Sequence, residues 1–268
     1  MKNIGFIGCG NMGSAMLEGI MQAGVADGSH IYVANQHPEK LANLERRYGI
    51  IIANNETVAR NSDVLFLAVK PYMYAPIIEK IRDVIQPSCI VVCIAAGITI
   101  ENMYEMLGGT YKVVKAMPNT PSLVQEAMTA ICFGDTLTLK EQEEMTAIFE
   151  SFGECREVSE SMMDVVTAIS GSAPAYFFMM LEAMGDAGVK GGMSRDDAYF
   201  FAAQTMLGSA KMYLETRKHP GALKDMVTSP GGTTIEAVAT LERRRFRASI
   251  IEAMDACLIK SEKMSQKQ

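Results

Sequence analysis

The stretch Ile4-Gly5-Phe6-Ile7-Gly8-Cys9-Gly10-Asn11-Met12-Gly13 decides how this chain is read. A short apolar run predicts a buried strand over Ile4–Ile7. Three glycines spaced G-x-G-x-x-G follow it and open a helical pattern over Met12–Ala23. The spacing alone is a weak signal, but between a strand and a helix it points to a dinucleotide. Gly8 permits the tight turn, Gly10 lets the backbone approach a pyrophosphate, and Gly13 lets helix and strand pack closely. The pyrophosphate would rest on free N–H groups at the positive helix end. The plainer reading is a glycine-rich strand-to-helix turn that holds nothing.

Moving outward, further apolar runs at Ile31–Ala34, Val64–Val69, Ile90–Ile94 and Lys112–Lys115 read as strands. Several are continuous, as expected of parallel strands buried on both faces. Helical patterns fall between them at Pro38–Tyr48, Ala75–Ile85 and Ile100–Leu107. This alternation predicts a doubly wound parallel sheet. Thr129–Phe133, Leu139–Phe152 and Cys155–Val158 would add a strand, a helix and a strand. Past Glu160 strand signals stop, and amphipathic helices follow: Met162–Ile169, Pro174–Val189, Arg195–Thr216, Pro220–Val227, Thr234–Leu241 and Phe246–Lys263. The expected boundary is therefore near Glu160, with no low-complexity linker.

A length of 268 residues suits two domains, and 49 % hydrophobic with 21 % charged residues suits full cores. The net charge of -6 argues against a nucleic-acid partner. Lys115 and the run Arg243, Arg244, Arg245, Arg247 are the candidates for a basic patch, although such runs are more often a solvated helix face. The six cysteines form no C-x-x-C pair and lie far from the three histidines, so neither a metal nor a disulfide framework is expected. Buried, reduced thiols fit a cytoplasmic protein. Ala173–Met184 is apolar but carries Glu182 and precedes Asp186; it reads as too short and interrupted to span a membrane. Met179, Met180 and Met184 suit core packing singly and a subunit interface as a group.

The end of the second strand bears on the cofactor. A carboxylate there would hold the ribose of NAD, but this chain has Ala34-Asn35-Gln36-His37 with Lys40 nearby. Nothing in that segment repels a 2′-phosphate, and Asn35, Gln36 and Lys40 offer it hydrogen bonds. NADP(H) is expected to be preferred, with NAD(H) also possible. Ala68-Val69-Lys70-Pro71, Ala95-Ala96-Gly97 and Met117–Pro121 sit at strand ends, where ligands of open α/β sheets collect. In the helical half, Thr228-Ser229-Pro230-Gly231-Gly232-Thr233-Thr234 is a polar turn opening a helix. Free N–H groups at Gly232 and Thr233, with the Ser229 hydroxyl, suit a carboxylate; equally, Thr233 suits a plain N-cap.

These residues together resemble the pyrroline-5-carboxylate reductase family over nearly the whole chain. The resemblance rests on Gly8–Gly13, Ala68–Pro71, Ala95–Gly97, Met117–Pro121, Ser170–Tyr176, Asp186–Val189, Gln204-Thr205 and Ser229–Ile235. It implies an α/β fold: an N-terminal Rossmann doubly wound sheet in 1–160, then an all-helical C-terminal dimerisation and substrate domain in 161–268. It implies NAD(P)H-dependent reduction of the cyclic imino acid 1-pyrroline-5-carboxylate to L-proline, by a homodimer or a decamer built from dimers. By motif, Ile7, Gly8, Cys9, Gly10, Asn11, Met12, Asn35, Gln36, Asn54, Ala68, Val69, Lys70, Pro71, Ala95, Ala96 and Gly97 would contact the cofactor. Ser229, Gly232 and Thr233 would hold the substrate carboxylate, and Thr234, as the catalytic residue, would hydrogen-bond the ring nitrogen. Lys70 would add charge for the substrate or cofactor, or only set the backbone before Pro71. No His, Asp or Glu is placed as a general acid by these motifs, so the proton is expected from solvent or from an iminium substrate.

The chain departs from the family pattern at four places. Lys115 stands for a usual arginine, Ala173 for a common glycine, Gln36 for a frequent arginine and Arg245 for a frequent glycine. Two other readings stay open. A hydroxy-acid or other imine reductase on the same scaffold would need an acid/base, for which Lys190 and Lys211 are the candidates. A non-catalytic nucleotide-binding protein would have no need of the Ser229–Thr234 turn.

Overall fold

The computed structural model describes residues 2–265; Met1 and residues 266–268, included in the two expected domains, lie outside the described residues. The first part alternates strands and helices: β1 (Ile4–Ile7), α1 (Asn11–Gln22), β2 (Ile31–Ala34), α2 (Ala42–Tyr48), β3 (Ile51–Ile52), α3 (Asn55–Asn61), β4 (Val64–Leu67), α4 (Tyr74–Ile81), β5 (Ile90–Cys93), α5 (Ile100–Leu107), β6 (Lys112–Met117), β7 (Ala127–Phe133), α6 (Leu139–Glu150) and β8 (Gly153–Glu157). Helices follow: α7 (Met163–Val166), α8 (Ala173–Lys190), α9 (Arg195–Thr216), α10 (Pro220–Met226), α11 (Thr233–Arg243) and α12 (Phe246–Ser265).

Among the described residues the sheet has eight strands in the order β3-β2-β1-β4-β5-β6-β7-β8. Strands β1 to β6 are parallel, β7 runs antiparallel to β6, and β8 runs parallel to β7. The apolar runs have the cause expected. On β4, Val64 and Phe66 enter the core on one face of the sheet and Leu65 and Leu67 the core on the other. On β5, Ile90 and Val92 alternate with Val91 and Cys93 in the same way. The chain reverses direction across the sheet between β1 and β4, which opens a crevice beyond their carboxyl ends.

Two short elements have no counterpart in the sequence expectations, the two-residue β3 and the seven-residue α3. Both are too brief for a periodicity to register. Lys115 is no part of a basic surface. It is buried on β6, with its ammonium 3.7 Å from the Glu160 carboxylate, which also accepts the Ile100 N–H at 2.7 Å. The arginine run is a solvated face: Arg245 pairs with Glu252 and Arg247 with Glu242. The six thiols are all free, and burial pushes those of Cys89 and Cys155 up to about 12.

By internal contacts the chain forms two compact units. One comprises the residues up to Ser172 together with the segment from Cys257 onward; the other is Ala173–Ala256. In the second unit α8 and α9 pack as a hairpin. They approach closely because a Cβ on Gly185 or Gly188 would meet Tyr199 or Ala198. Along all 22 residues of α9 only Ala198 and Ala202 are buried. Phe177, Phe178, Met179, Phe200, Phe201 and Leu207 are each more than half exposed. Helical structure runs from Glu160 to Lys190, 31 residues that contain an 18-residue window of mean hydropathy 1.2, which by length and composition alone could cross a bilayer. The helix is longer than the apolar stretch Ala173–Met184 read from the sequence, and Glu182 and Asp186 interrupt it as expected. This run does carry Asp164, which accepts a hydrogen bond from Ser261, and Asp186, which pairs with Arg195.

Candidate active site

A cavity of about 1100 Å³ opens at the carboxyl ends of the strands around the chain reversal, within the sheet unit. It brings together Ile7, Gly8, Cys9, Gly10, Asn11 and Met12 from the glycine turn and Ala34, Asn35 and Gln36 from the end of β2. Ala68, Val69, Lys70 and Pro71 after β4 join them, with Ala95 and Ala96 after β5 and Met117, Pro118 and Thr120 after β6. Asn54 and Gly97 do not line it. Among the described residues no carboxylate lines it either, and its charged groups are Lys70 and Lys80.

The glycine turn fits a pyrophosphate. Gly8 has φ +87 and its N–H is used by the Ala34 carbonyl at 2.8 Å, which fixes the turn against β2. A Cβ there would sit 2.6 Å from the Ala68 carbonyl oxygen. Gly10 is the N-cap of α1 and provides no side-chain cap, so the first N–H groups of the helix remain open to a ligand. A Cβ on Gly10 meets nothing within 4 Å. It would project into open space beside the helix end, where the pyrophosphate belongs.

The β2 end is arranged differently from expectation. The Asn35 amide donates to the Cys9 carbonyl at 3.2 Å and its oxygen accepts the His37 N–H at 3.3 Å. Asn35 thus braces the glycine turn, and Gln36 is the exposed side chain on the cavity. Lys40 does not line the cavity, whereas Lys80 does. Asn54 caps α3, its side chain accepting the Thr57 N–H at 2.8 Å, and the next residue, Asn55, reaches the cavity. Sequence reasoning missed the α4 wall, formed by Met73, Pro76, Ile77 and Lys80. Their spacing is that of one helix face, a signal present in the sequence.

Behind these loops, Tyr74 is fully buried. Its hydroxyl donates to the Leu67 carbonyl at 2.5 Å and accepts the Ile94 N–H at 3.3 Å, tying the end of β4 to the end of β5. Burial, reinforced by the neighbouring Cys93, raises its pKa well above the usual phenol range, so it stays a neutral donor. Asn119 is a second brace. Its amide donates to Ser170 and its oxygen accepts the Met128 N–H at 3.0 Å, holding the Met117–Pro121 loop to the turn of residues 167–171.

The Ser229–Thr234 turn belongs to the helical unit. Gly232, not Thr233, is the N-cap of α11, and no side chain caps that helix. The Gly232 N–H is spent on the Ser229 carbonyl at 3.1 Å, so it is not free as the sequence suggested. Thr233 and Thr234 open the helix, where N–H groups lack partners within it. Gly232 is required for space, since a Cβ there would lie 2.3 Å from the Ser229 hydroxyl oxygen. The Thr234 hydroxyl is half-buried and has no partner among the described residues. Lys211 is 70 % exposed and paired with Glu215, and Lys190 is exposed at the end of α8, so neither has the setting of a hydroxy-acid acid/base.

Residues 160–264 match the family model for pyrroline-5-carboxylate reductase dimerisation, and residues 3–97 match that of coenzyme F420-dependent NADP oxidoreductases. A pyrroline-5-carboxylate reductase of Escherichia coli K12 is 48 % identical over 266 residues, covering 99 % of both chains. The chain belongs to the pyrroline-5-carboxylate reductase family. A family member from Methanosarcina acetivorans is 39 % identical over 99 % of both chains. The crystal structure of a Plasmodium falciparum pyrroline carboxylate reductase with NADP bound superposes with a TM-score of 0.91 at 32 % identity, covering 98 % of both chains.

Proposed function

We propose that this protein reduces 1-pyrroline-5-carboxylate to L-proline with NADPH, as the last step of proline biosynthesis, and also accepts NADH. Membership of the reductase family along 99 % of the chain carries the reading. The carboxylate-free cavity and the open helix start at Gly10 support the cofactor. When bound, the cofactor supplies the hydride. The chain's own residues position and bind. The glycine turn holds the pyrophosphate, and Gln36 with Asn35 borders the adenosine. The loops Ala68–Pro71 and Ala95–Gly97, stitched by Tyr74, shape the remaining half.

The substrate carboxylate is assigned to the α11 start: the Ser229 hydroxyl and the Thr233 N–H bind it, with Gly232 supplying the space. Thr234 is assigned to the ring nitrogen, which its hydroxyl serves as donor or acceptor while imine becomes amine. Catalysis requires that turn to meet the nicotinamide end of a cavity. Among the described residues no acidic side chain lines the cavity, so the proton is assigned to solvent or to a substrate bound as iminium. Functionally the division falls at residue 160, with 161–268 serving dimerisation and substrate binding, in keeping with the family model over 160–264. A second copy, not lipid, covers the apolar faces of α8 and α9, giving a homodimer that can build a decamer. Six free thiols suit the cytoplasm.

The test follows nicotinamide absorbance with 1-pyrroline-5-carboxylate, in wild type and Thr234→Ala. Turnover that falls about a hundredfold in the variant, the loss typical for one donor to a developing charge, is the expected result. A folded wild-type protein with no turnover on either cofactor would overturn the assignment.

A further inference from the structure

The sheet unit takes in the segment from Cys257 onward, far along the chain from the strands. Three observations show how it is held. The Ser261 side chain is 4 % exposed and its hydroxyl donates to Asp164 Oδ1 at 2.5 Å. The Ser265 hydroxyl reaches both oxygens of the same carboxylate at 3.4 Å. One turn earlier, the Cys257 thiol donates to the Ser172 hydroxyl at 3.3 Å. These contacts fall on one face of α12 and aim its last turn at the cavity.

That turn arrives at a sensitive place. Gly97, at φ +82, lies so close that an added Cβ would be 3.0 Å from the Met264 backbone carbon and Cβ. Met264 itself lines the cavity, together with Ala95, Ala96 and Met117. The pyrophosphate belongs at Gly10, in the turn after β1, and the adenosine belongs toward β2 at Gln36. The β5 and β6 side, where Met264 stands, is then left for the nicotinamide. A thioether there offers a flexible, polarizable apolar surface.

We infer that the last turn of α12 is a wall of the nicotinamide end of the site, formed by Met264 and held in place by Asp164 as a positioning residue. This rests on the cofactor assignment above and adds a contact that no motif carried. Through Asp164, the turn and the Ala95–Gly97 loop are set as one piece.

The experiment titrates NADPH fluorescence on the full-length protein, and in parallel measures competition by 2′,5′-ADP, which is the adenosine half alone. Met264→Ala should weaken NADPH about fivefold, the loss of a partly buried thioether contact, and leave 2′,5′-ADP unchanged. Asp164→Ala should give the same signature, and the double variant should be no weaker than the worse single one, because both changes remove the same contact. Ser261→Ala, which removes one hydrogen bond, serves in place of Asp164→Ala if that variant does not fold. Glu262→Ala, exposed on the same turn, should bind as wild type. NADPH affinity within about twofold of wild type in Met264→Ala, an equal loss of 2′,5′-ADP, or additive effects in the double variant would each overturn the inference. A wild-type protein that binds no NADPH would instead sink the cofactor assignment beneath it.

Discussion

Adding one methyl group to Gly10 and, separately, to Gly8 should have opposite consequences. At Gly10 the backbone is extended, with φ -81 and ψ -164, and the new Cβ meets nothing within 4 Å. Alanine is a poorer N-cap than glycine by roughly 0.5–1 kcal/mol. It also restricts the unfolded chain, which recovers roughly 0.4–1 kcal/mol. The two nearly cancel, so Gly10→Ala should keep its stability within about 0.5 kcal/mol. The methyl, however, takes the space of the pyrophosphate and holds it off the α1 N–H groups. Losing one to two charge-assisted hydrogen bonds at roughly 1.5–3 kcal/mol each lowers NADPH affinity at least about tenfold. At Gly8 the sum differs. A non-glycine residue at φ +87 costs about 1–3 kcal/mol, and overlap with the Ala68 carbonyl oxygen at 2.6 Å and a Val69 methyl at 2.5 Å adds about 1–3 kcal/mol. Gly8→Ala should therefore be destabilised by about 2–6 kcal/mol. Urea unfolding without cofactor reads the stability and fluorescence titration reads the binding. A Gly10→Ala protein that binds NADPH within about threefold of wild type would refute the placement of the pyrophosphate at this helix end.

Three further outcomes are expected. Arg245 occupies the left-handed region at φ +59, which costs about 1 kcal/mol, and its exposed pair with Glu252 returns less than that; Arg245→Gly should raise stability by about 0.5 kcal/mol in urea, and a loss of stability would refute the strain. Lys80 stands on the cavity wall where Lys40 does not, so Lys80→Gln should lower kcat/KM for NADPH about five- to tenfold, as for one charge contact to a phosphate, with NADH unchanged, while Lys40→Gln alters neither. Glu141 is partly desolvated, which raises its pKa, but hydrogen bonds from Lys112 and Thr138 outweigh this and hold the pKa down to about 2. The stabilisation it gives is complete above the ordinary carboxylate range and fades as pH falls from about 4.5 toward 2, so Glu141→Gln should flatten that part of a urea-midpoint against pH curve.

How far the sequence could be read depended on the range of the interactions involved. The strands β1, β2, β4 and β5 were legible because burial on both faces writes itself as unbroken apolar runs. The glycine turn was legible because three backbone constraints fall within six residues. The reversal of β7 was hidden: an antiparallel strand after the Met117–Pro121 loop is as apolar as a parallel one. Asn35 falls on the cavity and Asn54 one residue short of it, and which atoms their amides use, the Cys9 carbonyl or the Thr57 N–H, depends on local angles that no spacing encodes. The same holds for the Gly232 N–H, taken by the Ser229 carbonyl. Lys115 looked like a surface charge because its partner, Glu160, is supplied by a distant segment. Met264 left no local trace, since its place beside Gly97 is made by hydrogen bonds to Asp164 from the far end of a long insertion.

That insertion has a consequence for how the molecule comes into being. The ribosome delivers the strands, the glycine turn and Asp164 first, then Ala173–Ala256, and only afterwards the α12 turn that returns to them. Roughly eighty residues at ~5–20 residues per second separate the two deliveries by about 4 to 17 s. During that interval a nascent chain can complete its sheet while the Asp164 carboxylate waits without Ser261, and the Ala95–Gly97 loop has no neighbour on one side. Synthesis order therefore makes the floor of the nucleotide crevice early and one of its walls late.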